Sequence, residues 1–454
     1  MDVITHDKIE VSGVKFKRIL SLTINHSINE HGTATIRGEM DSVTGREDVA
    51  RLNERSLVKI TTKAQGQPSV LFCGAVMKTN LIYENDYLVL GLTLITTSYL
   101  LDIQKRNKSF QNEGKTYGAI LQEALQGSGT VTMSISDRPI GTLVMQYNET
   151  NWEFIKRIAS KFNTSVSADI TSEIPNITIG QLSQKKVIMK SHETGTGLSQ
   201  FKFGVATSIS DTAYNGCSYE YGYLGDNFNQ EGIITAINAE LVDGTLKCSY
   251  SYGASSLLSN TLKVENTQVA GRMFTGEVKE VKEDKVRVHI IDIDSEFDGG
   301  SNHWFPYSTA YSSSDGSGFY CMPAVGDQVR LYFPSENEGD AFAASSVNVA
   351  PLEDPLNKMW KNSMGKEILL TPEGIRISNK NGGTDLYISI TDEEGIMIYS
   401  NKQINIDSKA NININAGKEL VIEGKEEVYI GSADSFIDIT KDGIMVGGNR
   451  LLIN

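Results

Sequence analysis

Positive charge is in short supply along this chain. Lys and Arg total 42 against 56 Asp and Glu, a formal net charge of -14. Nucleic acid and anionic membrane surfaces both need a basic footprint, so neither is expected as the main partner. Long apolar runs are missing as well. No stretch reaches the roughly 18 uninterrupted apolar residues of a spanning helix, and the opening MDVITHDKIE is charged. The expectation is cytoplasmic folding without a signal peptide, any export using another route. The four cysteines, Cys73, Cys217, Cys248 and Cys321, lie far apart with no CxxC pair. That spacing favours reduced thiols over disulfides or metal ligation. No histidine follows His303 and no proline follows Pro372.

What is present is a long alternation near the carboxyl end, over residues 386–430. Ile388, Ile390, Ile396, Ile398, Ile404, Ile406, Ile412, Ile414, Leu420, Ile422, Val428 and Ile430 all fall on even positions. The odd positions between them are mostly polar, among them Ser389, Asn405, Asp407, Asn411 and Asn413. Successive side chains of a strand point to opposite faces, so fixed parity means one apolar stripe and one wet stripe. A ribbon of this kind cannot hide its stripe alone. It either coils as a single-chain solenoid or winds with sister chains about a shared axis. A solenoid is expected to show a fixed repeat. The Gly-Ile pairs at Gly374, Gly395 and Gly443 are 21 and then 48 residues apart, from which no single period is expected. The intertwined trimer, with the twelve even-numbered residues at its axis, is therefore the favoured reading.

Upstream, residues 1–265 read as one module. Short strands are expected at 15–24, 32–38, 57–62, 70–80 and 87–94, then helices at 115–126 and 151–162, then further strands to about 265. Thr150 with Glu153 three residues on forms a capping-box pattern for the second helix. Residues 266–350 carry about five more strand patterns (275–281, 285–293, 303–306, 318–322 and 328–333), the size of an OB barrel. A linker at 351–357 leads to the ribbon domain, 358–454.

Two segments carry a family resemblance. MQYNETNWEFIKRIASKFNTSV, residues 145–166, resembles the late-control D family of phage tail proteins and the matching part of VgrG proteins, where a Tyr-x-Glu-x-x-Trp-x-Phe run opens a helix. WFPYSTAYSSSDGSGFYCMPAVGDQVRLYFPSENEGDA, residues 304–341, is similar to the barrel of the same proteins, with Pro323-x-Val325-Gly326-Asp327 before an alternating strand. The resemblance implies a mainly β chain made of a hub of two β-barrel subdomains with two short helices, an OB-fold barrel and a trimeric intertwined β-helix, or prism. It implies a non-enzymatic homotrimer without cofactors, the spike of a contractile injection machine of the type VI secretion or phage-tail-like kind. Tube and baseplate proteins, a PAAR-type tip protein and non-covalently carried effectors are the implied partners, and the chain would leave the cell as part of the particle. Two departures stand out. The acidic-Pro-Asp-Arg-Pro segment common after the barrel is replaced by residues 335–343, and the lack of histidine after His303 excludes a His-x-His iron site at the tip.

Chemistry-bearing residues all have a plainer reading. His303 and Cys321 are cast as packing groups, since Trp304 and a strand follow the first and Tyr320 and Met322 flank the second. Asp292, Asp294, Glu296 and Asp298 alternate like a calcium loop, yet its sixth position holds Phe297 where glycine is needed. Tyr214, Tyr219, Tyr221 and Tyr223 read as a strand face or subunit contact rather than a sugar platform, and Trp152 as helix core. No catalytic or metal residue is assigned. The apolar end at Leu451, Leu452 and Ile453 suggests docking of the tip protein, because open strand ends invite pairing. The rival reading is a carbohydrate-binding or depolymerising tailspike, with Glu393, Glu394, Glu426 and Glu427 as the acidic residues of the ribbon.

Overall fold

The computed structural model describes residues 3–53, 56–63, 68–84, 87–182, 184–189, 213–259, 261–347, 354–379 and 386–450, with the backbone alone of 197–200 and 212. The chain divides into two compact units, Met1–Val349 and Ala350–Asn454.

The first unit is built on a twelve-stranded sheet. Its main path runs Ile9–Val11, Leu57–Thr62, Ser69–Glu84, Tyr87–Thr96, Thr33–Met40, Phe16–Ser27, Gly232–Val242, Thr245–Gly253, Thr212–Ser218 and Gly197–Gln200. Tyr87–Thr96 reads YLVLGLTLIT, and Leu88, Val89, Leu90, Leu92 and Leu94 are all buried, as suits a strand covered on both faces. Phe16–Ser27 pairs with Thr33–Met40 on one side and with Gly232–Val242 on the other. The two β halves expected as barrel subdomains thus share one continuous sheet.

A smaller layer packs on this sheet. Helix α1, Thr44–Arg51, is polar and mostly exposed, and no apolar period announces it. Helix α2, Tyr117–Leu125, turns Tyr117, Ile120, Leu121, Ala124 and Leu125 inward, and Gln126 ends it in the left-handed region. Helix α3, Asn151–Ser160, begins with the expected capping box: Thr150 Oγ1 accepts from the Glu153 N–H at 3.0 Å, and Glu153 Oε2 accepts from the Thr150 N–H at 2.8 Å. Both α2 and α3 cover one face of a three-stranded sheet, Thr130–Ser134, Asn176–Gly180 and Val166–Ala168. Among the described residues no helix is long and apolar enough to cross a membrane.

The closed barrel follows: Met273–Lys282, Lys285–Ile290, Phe305–Ser308, Phe342–Ser346 and Gln328–Tyr332, around Phe274, Val288, Ile290, Phe305 and Leu331. One expected strand is corrected. Residues 318–322 lie in a loop joined by a single bridge, Ser312 to Gly318, with Phe319 and Tyr320 exposed. The closing strand is Phe342–Ser346, whose inward residue is the small Ala343 and whose apolar signal is correspondingly faint.

The second unit opens with a five-stranded meander, Lys358–Lys361, Lys366–Thr371, Gly374–Asn379, Leu386–Thr391 and Gly395–Ser400. It closes with three strands, Glu427–Ser432, Ser435–Thr440 and Gly443–Gly447. Between them, residues 401–426 form neither helix nor strand and make no ladder within the chain. They bend at 401–402, 409–410, 417–418 and 425–426. The bends recur every eight residues, which corrects the expectation of no period and removes irregular spacing as an argument against a single-chain solenoid; a solenoid would ladder rung on rung, and residues 401–426 make no such ladder. Glycine spacing hides this repeat, because only one of these bends, at Gly417, holds a glycine.

Candidate functional site

The octad sets the geometry of the apolar stripe. Ile388, Ile396, Ile404, Ile412, Leu420 and Val428 form one series at steps of eight, and Ile390, Ile398, Ile406, Ile414, Ile422 and Ile430 form the other. Directly opposed residues of antiparallel strands share a face. In the meander, Ile368, Ile377, Ile388 and Ile398 stand opposite one another in a row, and Leu370, Ile375, Ile390 and Ile396 make a second row. Near the end, Val428, Ile439 and Ile444 align, as do Ile430, Ile437 and Val446. Parity alone misses Ile375, Ile377, Ile437 and Ile439, since the two-residue turns at Thr371–Gly374 and Ser432–Ser435 move the row onto odd numbers, whereas the three-residue turn at Thr391–Gly395 keeps it on even ones. Turn length, counted at the Thr371–Gly374 and Ser432–Ser435 turns, is the signal that finds them.

Eleven of the twelve expected axis residues are exposed within the single chain, Ile396 at 73% and Ile406 at 74%; Val428 is half-buried. The first row walls an open trough of about 590 Å3 that also takes in Trp360. The opposite face of the meander is knit together by polar and aromatic contacts. Arg376 sits over the Tyr387 ring at 4.2 Å, Tyr387 stacks on Tyr399 at 5.2 Å, and Ser378 Oγ donates to Glu367 Oε1 at 3.0 Å. In the meander, therefore, one face carries these side-chain contacts while the isoleucine rows of the other stay largely open. Leu451, Leu452 and Ile453 lie outside the described residues. The ribbon carboxylates fall in solvent: Glu393 and Glu394 in the turn before Gly395–Ser400, Glu426 and Glu427 at the last bend.

In the first unit the candidate chemical groups have structural partners. His303 is buried and its Nδ1 meets Glu113 Oε1 at 2.7 Å; Cys321 is exposed in the 318–322 loop, which corrects its reading as a packing group. Burial pulls the His303 pKa down, partly offset by Glu113. Asp292 accepts from the Thr275 N–H at 2.6 Å, Asp294 from the Ser109 N–H at 2.9 Å, and Asp298 pairs with Lys115 at 3.1 Å. These carboxylates are spent on backbone and lysine, and no cluster of metal-binding side chains occurs among the described residues. Tyr221 and Tyr223 donate their hydroxyls to the Leu71 and Val70 carbonyls at 2.8 and 2.6 Å, tethering the second β half to the first. Tyr214 stacks on Tyr252. Trp152 is buried against the His31 ring at 4.4 Å.

Two networks were not legible in the sequence. Ser98 Oγ lies 2.8 Å from His31 Nδ1, and His31 Nε2 lies 3.3 Å from Asp102 Oδ2, the order of groups found in hydrolytic triads. However, Ser98 is 1% exposed and its hydroxyl also meets Thr96 Oγ1 at 2.8 Å, so substrate has no access and the set fastens loop to sheet. The second network joins hub to barrel. Buried Arg157 donates to Glu149 at 2.7 and 2.9 Å, to the Met145 carbonyl at 2.7 Å and to Glu338 Oε1 at 2.9 Å. Burial pushes the Glu149 carboxyl up, whereas the two carboxylates outweigh burial at Arg157 and strengthen its hold on the proton. Glu338 belongs to the segment 335–343 that departs from the family pattern, and Arg157 to the segment that carries the resemblance.

With these elements in place, the model for the type VI secretion system/phage-baseplate injector OB domain matches residues 274–347, the closed barrel. The E. coli c3393 protein, described as a type VI secretion component structurally similar to T4 bacteriophage tail proteins gp27 and gp5, superposes with a TM-score of 0.53 at 14% identity, covering 75% of this chain and all of that one. This chain carries a VgrG-like fold. A chain of the half-lidded Francisella PdpA-VgrG complex gives a TM-score of 0.52 at 9% identity, over 87% of this VgrG-like chain and 88% of its own. No curated protein matches the sequence. At these identities the likeness speaks for the fold alone, with the injector OB barrel at residues 274–347.

Proposed function

We propose that this chain is the structural spike of a contractile injection machine, and that three copies wind residues 386–447 about one axis. The observation that carries this is the stretch 403–424. It makes no ladder inside the chain, and its exposed isoleucines and leucine fall on even positions in two series at steps of eight, which an extended backbone would put on one side. Backbone N–H and C=O groups demand partners, and an apolar stripe demands cover. Sister strands supply both at once. Burying a dozen such side chains at roughly 1.5–3 kcal/mol each stabilises the assembly by tens of kcal/mol gross per chain, an upper estimate.

In this reading the chain works mechanically. The hub ring adapts a three-fold spike to a six-fold tube, sheath contraction drives the needle through a target envelope, and a tip protein of the PAAR type docks on Leu451, Leu452 and Ile453. Effectors ride by non-covalent contact. Co-expression with the tube and baseplate proteins of the same system tests the role. Co-purification with them through unit Met1–Val349 is the expected result; no association, together with turnover of a polysaccharide, contradicts it and favours the tailspike.

A further inference from the structure

Between the large sheet and the small three-stranded sheet lies a cavity of about 250 Å3. Strand alternation creates its wall. Val131, Met133, Ile177 and Ile179 face helices α2 and α3, which leaves Ser134 and Thr178 on the far face, where they line the cavity. The opposite wall carries His26, on strand Phe16–Ser27, 4% exposed; neither ring nitrogen makes a well-formed hydrogen bond, although the Ala168 backbone lies close enough to act on the ring. A neutral imidazole presents one donor and one acceptor, so its complement is a group that offers both. A hydroxyl does so.

The charges around the cavity balance. Asp169 is held by Thr171 through its N–H at 2.8 Å and its hydroxyl at 2.7 Å, and Lys185 lines the same space beside the Tyr223 ring. One carboxylate and one ammonium leave the lining without net charge, which disfavours an ionic guest. At about 30 Å3 per water the space equals roughly eight waters, room for a small solute.

We propose that this cavity binds a small neutral polyhydroxyl solute, a polyol or monosaccharide, through His26, Ser134 and Thr178. The site is independent of the spike reading. The test follows the His26 ring resonances of the full chain with 15N-labelled histidine while glycerol, glucose and, separately, acetate are added. A saturable shift with glycerol or glucose is expected, with little response to acetate. T178V and S134A, each removing one hydroxyl, are expected to weaken binding roughly three- to tenfold; should either fail to fold, the other serves. Shifts that stay linear in solute or do not occur, tighter binding of acetate, or unchanged affinity in the folded variants overturn the proposal.

Discussion

The two units use the same strand chemistry and reach opposite outcomes. In Met1–Val349 the apolar residues of the strands close on one another: Ile24, Ile36, Leu90, Leu92 and Ile237 make one core, and Phe274, Val288 and Leu331 another. In Ala350–Asn454 residues as apolar as Ile396, Ile406 and Ile414 stay open in the single chain. The difference lies in connection. A long sheet whose strands pack their apolar residues on one another covers itself, whereas on the proposed reading the octad ribbon leaves its partners to other chains. On that reading, self-sufficient folding in Met1–Val349 stands against assembly-dependent folding in Ala350–Asn454.

Four changes break or sharpen this contrast. The largest effect is expected from I412D, which would bring three carboxylates to the shared axis, each an unpaired buried charge costing several kcal/mol. Sedimentation velocity should show loss of assembly while near-UV circular dichroism of the first unit is retained; N413D, on the wet stripe, should change little. Next is R157A, which strands Glu338 and Glu149 in the hub-barrel junction. A loss of about 3–5 kcal/mol in the unfolding of the first unit is expected, with assembly of the second unaffected.

The third change is pH. Burial lowers the His26 pKa from 6.5 to about 4, against a smaller upward pull from the Ala168 backbone and the Asp169 carboxylate. Between those values the unfolded chain binds more protons, so stability rises with pH, is complete above 6.5 and is lost as pH falls through about 4. The amplitude is roughly 3 kcal/mol. Urea midpoints of the first unit at pH 4 and pH 7 should diverge accordingly, and H26L should flatten the difference. The smallest effect is expected from T150A, which removes the cap of α3 and costs about 1 kcal/mol by thermal unfolding.

Local signals in the sequence proved readable where one residue acts on near neighbours. The Thr150 and Glu153 cap, the apolar faces of α2 and α3 and the parity of the ribbon are all of this kind. Long-range matters were not. Nothing local marks Glu338 as the partner of Arg157 across 181 positions, nor Phe342–Ser346 as the closing strand. The octad was visible in principle through the isoleucines, and each bend contains a lysine: Lys402, Lys409, Lys418 or Lys425. Glycine is simply the wrong marker where an open bend tolerates a long solvated side chain. The rows through Ile375 and Ile439 needed the turns themselves, since a two-residue turn shifts parity and the three-residue Gly395 turn does not.

Native mass measurement of the intact chain tests the central claim most directly. Three chains of 49.8 kDa should give a particle of about 149 kDa that persists on dilution and collapses with I412D. A compact single chain, with residues 401–426 protected from hydrogen exchange, would contradict it.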